Sequence, residues 1–197
     1  MMLIEQTPVP DAALPVAAFK AHLRLGSGFG LDGVQDGVIH SFLRAAIAAI
    51  EARTGKALIT RGFTVSLSFW RNTGAQVLPI APAVAINQVT SVAADGTETL
   101  IAEDSYWLER DMQRPRLRAK GSCLPRIPRA GTINIAFEAG FGTTWDQIPA
   151  DLQQATFMLA AHYYEYRNDT GLSDGCMPFG VSSLIERFKA MRLGTAT

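Results

Sequence analysis

The residues with the best spacing for chemistry are glycines. Gly26 to Gly33 reads GSGFGLDG, four glycines in eight residues, and Gly28, Gly30 and Gly33 reproduce the GxGxxG spacing of a phosphate cradle. That motif works when a strand enters the loop and a helix leaves it, so that the helix N-terminus faces the phosphate. Here the preceding pattern is helical, which argues for a flexible loop. His162 and Glu165 stand three apart, but no second carboxylate–histidine pair completes a di-iron set. His22 and His40 lie far from them in sequence, without metal-ligand spacing. There is no GxSxG elbow and no CxxC. Cys123 and Cys176 are expected to stay reduced and unpaired. The loop from Arg114 to Arg129 is basic, with Trp107 near it in sequence, so phosphate contact is one reading and a solvated loop the other. No nucleophile, base and orienter come together. The expectation is a protein that is not an enzyme, with no cofactor and no metal.

Composition narrows the partners. The chain has 197 residues, 48% hydrophobic and 18% charged, enough to bury a core without staples. Its 18 Lys and Arg balance its 18 Asp and Glu, so no bulk charge draws it to nucleic acid or an acidic membrane. No apolar run has the length of a membrane span, and the first residues lack the pattern of a signal peptide. Synthesis in the cytoplasm is expected.

The element most able to organise the chain is Ile148 to Asp169. Pro149 suits a first helical turn, and Asp151 complements the positive helix end. Leu152, Ala155, Leu159, Tyr163 and Tyr166 share one face; Phe157, Ala161 and Tyr164 share roughly the opposite one. A surface helix needs one apolar stripe, so this one is either central to its bundle or covered by another chain. Phe157 and Tyr164 are therefore the candidates for a subunit interface.

The rest is arranged around it. Met1 to Ala13 reads as an extended arm, Pro15 to Arg24 as a short helix, and Asp32 or Asp36 caps a helix to about Arg53. From Phe63 the period changes to two. Strands are expected at Phe63–Phe69, Gln76–Ile80, Ala85–Val92, Thr97–Ile101, Tyr106–Arg110 and Thr132–Glu138, with a hairpin turn at Asp95-Gly96. Pro79 and Pro82 confine their segment to an edge strand or a connection. Met112 to Ala130 fits neither period and reads as a long loop with at most a brief strand. Thr170 to Gly180 is a link, and Ser183 with Glu186 has capping-box spacing for a last helix to about Leu193. The fold class is α+β: a helical bundle formed by N- and C-terminal helices, at about 15–54 and 148–193, with an inserted small antiparallel β module at about 57–140. It is read as a single domain over residues 1–197.

Several short pieces, in order, resemble the head–tail connector (adaptor) proteins of long-tailed bacteriophages and phage-like gene transfer agents. They are Leu23-Arg24-Leu25, Thr54-Gly55-Lys56-Ala57-Leu58-Ile59-Thr60, Leu78-Pro79-Ile80-Ala81-Pro82 and Ala139-Gly140-Phe141-Gly142. His162-Tyr163-Tyr164-Glu165-Tyr166-Arg167 and Pro178-Phe179-Gly180-Val181 follow. The resemblance implies a structural subunit of the neck, in a ring that is commonly twelvefold. That ring lies beneath the portal and joins head to tail around a DNA channel. Its implied partners are copies of itself, the portal protein, a tail-proximal neck or stopper protein, and packaged DNA in passing; no membrane is implied. The Gly26–Gly33 and Met112–Ala130 loops depart from the family pattern. A near-neutral chain suits a wall past which DNA must slide. The competing readings are a small DNA-binding regulatory protein and an enzyme with an unrecognised site. For the portal contact the candidates are the apolar face and basic end of the last helix: Val181, Leu184, Ile185, Phe188, Arg187, Lys189 and Arg192.

Overall fold

The computed structural model describes residues 1–24, 34–167 and 177–189. It contains both helices and antiparallel sheets, and its contacts divide the chain into two compact units. One unit holds residues 1–8 and 55–141; the other holds 9–54 and 142–197.

The first unit is built from strands. The expected alternation at residues 63–67 is present in β2 (Arg61–Leu67), whose odd residues are buried and whose even ones are half-exposed. It pairs with β8 (Thr132–Ala139), which has the complementary alternation, over seven residues from Arg61↔Ala139 to Leu67↔Ile133. A five-stranded antiparallel sheet results, in the order β1 (Met2–Glu5), β2, β8, β4 (Ala83–Val92), β5 (Glu98–Leu100). The β4–β5 hairpin turns at Asp95-Gly96 as expected. Gly96 takes φ +86°, and Asp95 accepts the Thr97 N–H at 2.9 Å, which lowers its carboxyl pKa. Residues 78–82 are a connection, so of the two readings for the proline-bearing segment the connection applies.

A second sheet has three strands in the order β3 (Ala75–Val77), β7 (Arg116–Ala119), β6 (Tyr106–Glu109). The two sheets share one core: Phe63, Val65, Val89, Ile133, Ile135 and Phe137 from the first, Tyr106 and Leu117 from the second. The loop expected from Met112 to Ala130 is organised around β7, whose period-two pattern lasts only four residues and is hidden among arginines. Residues 1–5 are not a free arm. β1 pairs with β2, and Glu5 bonds the Arg61 guanidinium at 2.6 Å.

The second unit is helical: α1 (Val16–His22), α2 (Val34–Thr54), α3 (Ala150–Glu165) and α4 (Phe179–Ile185). The stripe Ile39, Leu43, Ala46, Ile47 and Ile50 of α2 is fully buried, as are Leu152, Ala155 and Leu159 of α3. Two expectations are corrected. The last helix begins at Phe179, so Ser183 lies inside it and forms no capping box with Glu186; Pro178 occupies the cap position instead. The helix gives way to a 3-10 turn at Glu186–Phe188, and the stretch beyond Lys189, to which the expected helix ran, lies outside the described residues. The Gly26–Gly33 loop and most of the Thr170–Gly180 link lie outside the described residues.

Candidate functional site

Two helices of the helical unit carry the residues singled out from the sequence. On α3, Phe157 is half-buried in an aromatic cluster. It stacks on Trp145 with centroids 5.3 Å apart, and its ring also meets Phe19 at 5.7 Å and His22 at 5.5 Å. Tyr164 meets Phe42 of α2 edge-on at 6.1 Å, and the Arg167 guanidinium lies over its ring at 4.8 Å. The second apolar stripe of α3 is thus lined by α1, α2 and the turn at Trp145, yet both Phe157 and Tyr164 keep part of their surface exposed.

Beside this cluster is an open groove of about 540 Å³, lined by Pro10 and residues 12–18 and 143–146. Trp145 lines it and is buried, but among the described residues its indole Nε1–H has no hydrogen-bond partner; neither has the buried Nε2 of His162. A buried donor without an acceptor costs on the order of 1–3 kcal/mol. The Asp11 carboxylate accepts a 2.6 Å bond from Arg44 and lies 3.4 Å from His40 Nδ1. The Arg44 hydrogen bond, helped by the nearby His40, holds the Asp11 pKa down.

On α4 the expected apolar face divides. Val181 and Ile185 are fully buried and Phe188 nearly so, because Gly180 lets α4 approach α3: a Cβ there would sit 2.7 Å from Met158 Cε. Leu184 is half-buried. Arg187 is committed to Asp151 at 2.9 Å and stacks on Phe188 at 4.7 Å, while Lys189 pairs with Glu186. Arg192 lies outside the described residues. The residue missed from sequence is Phe179, which is 88% exposed and shares the outward face with Ser183 and Glu186. Its signal was present: it is the one large apolar side chain off the 181/184/185/188 stripe.

Elsewhere, Lys56 is almost fully buried and donates to Gln113 Oε1 at 2.8 Å. Burial pushes its ammonium pKa down, against the attraction of Asp111. Cys123 is an exposed free thiol, and Cys176 is outside the described residues. Among the described residues, no cluster of His, Cys, Asp and Glu has the makings of a metal site, and no helix is long and apolar enough to cross a membrane.

No protein-family profile and no curated protein sequence matches the chain. Solved structures do. A chain from the neck of an empty GTA particle, computed with C6 symmetry, is 52% identical with a TM-score of 0.90, over 100% of this chain and 99% of that one. One from the neck of a native GTA particle, computed with C12 symmetry, is 47% identical with a TM-score of 0.84 over the same shares. One from the virion of a native gene transfer agent (GTA) particle is 51% identical with a TM-score of 0.88, again over 100% and 99%. Half of the residues retained over the whole length, on one backbone course, places the protein in the family of gene transfer agent neck proteins, structural components of a phage-like particle.

Proposed function

We propose that this chain is the head–tail adaptor of such a particle: a subunit that closes into a ring beneath the portal and joins head to tail around the DNA channel. The observation that carries the reading is the full-length likeness to necks computed with six- and twelvefold symmetry. A ring of identical subunits uses a heterologous contact, two different patches meeting around the circle. The part-exposed aromatics Phe157 and Tyr164 and the orphaned Trp145 donor beside its groove are suited to one such patch. The portal contact falls on the outward side of the α4 segment, with Phe179, Leu184, Arg187 and Lys189 as its described residues. Val181, Ile185 and Phe188 support it from inside the helical unit.

The test is imaging of the native particle's neck with this chain labelled, together with the mass of the purified protein. The adaptor reading expects one ring of copies in contact with the portal on one side and a tail-proximal neck or stopper protein on the other. A location on the tail side of a separate ring, with no portal contact, overturns it.

A further inference from the structure

We propose that the three-stranded sheet and its flanking loops form a phosphate-binding face for duplex DNA. The choice of DNA as the polyanion rests on the reading of the ring as a DNA channel; the face itself stands on charge and geometry. Hydrogen bonds tie two distant stretches of chain together. Trp70 Nε1 donates to the Pro125 carbonyl at 2.7 Å, Leu124 N to the Thr73 carbonyl at 2.6 Å, and Ala119 N to the Gly74 carbonyl at 3.1 Å. The pairing of β3 with β7 continues the seam, Ala75↔Arg118 to Val77↔Arg116. Neither joined stretch, 68–76 or 112–131, contains an Asp or a Glu.

The cations on them are poorly neutralised. Arg71, Arg114, Arg126 and Arg129 are exposed and have no ion-pair partner among the described residues. Lys120 is exposed and its ammonium reaches the Glu103 carbonyl oxygen at 3.3 Å. Arg116 and Arg118 flank buried Leu117 on β7 and so share the opposite face. There they share the Glu109 carboxylate, at 3.9 and 3.4 Å, and Arg116 also attracts Asp111, whose carboxylate accepts the Gln113 and Arg114 backbone N–H groups. Two aromatic rings stand beside these charges: Phe69, 66% exposed, and Trp107, 44% exposed and directly across from Arg118. The neutrality of the whole chain averages over this face and conceals it.

The chemistry favours a duplex over an acidic protein. Ordinary protein surfaces intersperse both charge signs, and would leave many of these cations unmatched. A duplex presents phosphates in a uniform row, and guanidinium groups pair with phosphate oxygens bidentately. The face has no obvious set of base-reading side chains, so binding should be insensitive to sequence.

The experiment is fluorescence anisotropy of the full chain with two short duplexes of unrelated sequence. Both should bind alike, and affinity should fall roughly fortyfold between 50 and 200 mM salt if about three phosphates are engaged. The double variant Arg71→Ser, Arg126→Ser should weaken binding at least about fivefold and flatten the salt slope by about 1.8. Arg71→Lys, Arg126→Lys, which keeps the charge, should bind within about threefold of the natural chain. Arg24→Asn, Arg53→Ser makes the same change of charge in the helical unit and should leave binding unaltered. Circular dichroism checks that each variant is folded. No duplex binding at 50 mM salt, an equal loss in the helical-unit control, or tighter binding of polyglutamate than of duplex overturns the proposal. Sedimentation of the same samples separates the two readings. A ring without DNA binding removes this face alone; DNA binding without a ring removes the adaptor ring alone.

Discussion

The β unit and the helical unit solve the problem of burial differently. In the β unit the core is closed: Phe137, Ile133 and Ile135 of β8 are wholly buried, and no described buried side-chain polar atom lacks a partner. In the helical unit the equivalent inventory is incomplete. Trp145 Nε1 and His162 Nε2 have no hydrogen-bond partner among the described residues, Phe157 and Tyr164 are part-exposed, and Phe179 stands in solvent. A sheet satisfies its backbone through its neighbours and leaves side chains to pack. A helix satisfies its backbone internally, so its second face is free to be spent on another molecule. We propose that the helical unit, with its unpartnered buried polar atoms and part-exposed aromatics, is where assembly completes burial, while both units expose apolar side chains, Phe69, Leu100 and Trp107 on the β unit among them. The β unit displays charge on its three-stranded sheet.

The comparison can be broken at several points. The largest effect belongs to the β unit. Gly140 has φ +148°, and a Cβ there would lie 2.3 Å from Thr60 N and Cα, so Gly140→Ala should abolish soluble expression or lower the melting point steeply. Next, Phe137→Ala removes a fully buried ring and should cost about 3–5 kcal/mol in denaturant unfolding. A β variant that folded normally yet failed to assemble would contradict the division of labour.

In the helical unit the balance should reverse. Phe157→Ala removes a half-buried ring, so about 2 kcal/mol of folding stability is expected to go, with a larger loss of ring assembly by analytical ultracentrifugation. Unchanged melting together with unchanged assembly would show that its exposed surface is idle. Phe179→Ser should move stability by no more than about 0.5 kcal/mol while reducing capture of the portal protein. Full capture would remove Phe179 from the contact.

The smallest effect is electrostatic. The Asp11 carboxylate has its folded pKa lowered, chiefly by the Arg44 hydrogen bond. A group of that kind contributes stability above its unfolded pKa of about 3.9, and loses it as pH falls through the lower folded value. The Arg44→Met variant should therefore melt lower than the natural chain at pH 5, and the gap should narrow below about pH 4. Because Asp11 is exposed, the gap is expected to be modest and to shrink with added salt. A gap that widens in acid would assign the Arg44 effect to packing.

Much of this was legible in the sequence, for local reasons. The two-residue alternation in β2 and β8, the Asp95-Gly96 hairpin and the buried stripe of α2 are periodic signals that neighbouring residues decide together. The two apolar faces of α3 were equally readable; Phe157 and Tyr164 on the second meet rings of α1, α2 and the turn at Trp145. What the one-dimensional pattern could not carry were the choices made between distant segments. β7 is only four residues long, and its pairing with β3 and β6 is what makes it a strand. α4 starts at Phe179, directly after Pro178 at the cap position and one turn ahead of the Ser183 and Glu186 spacing. Charge balance is additive along a chain, so sequence alone established neutrality. Segregation of that charge is a property of which stretches the fold brings side by side, and only the tertiary structure joined 68–76 to 112–131.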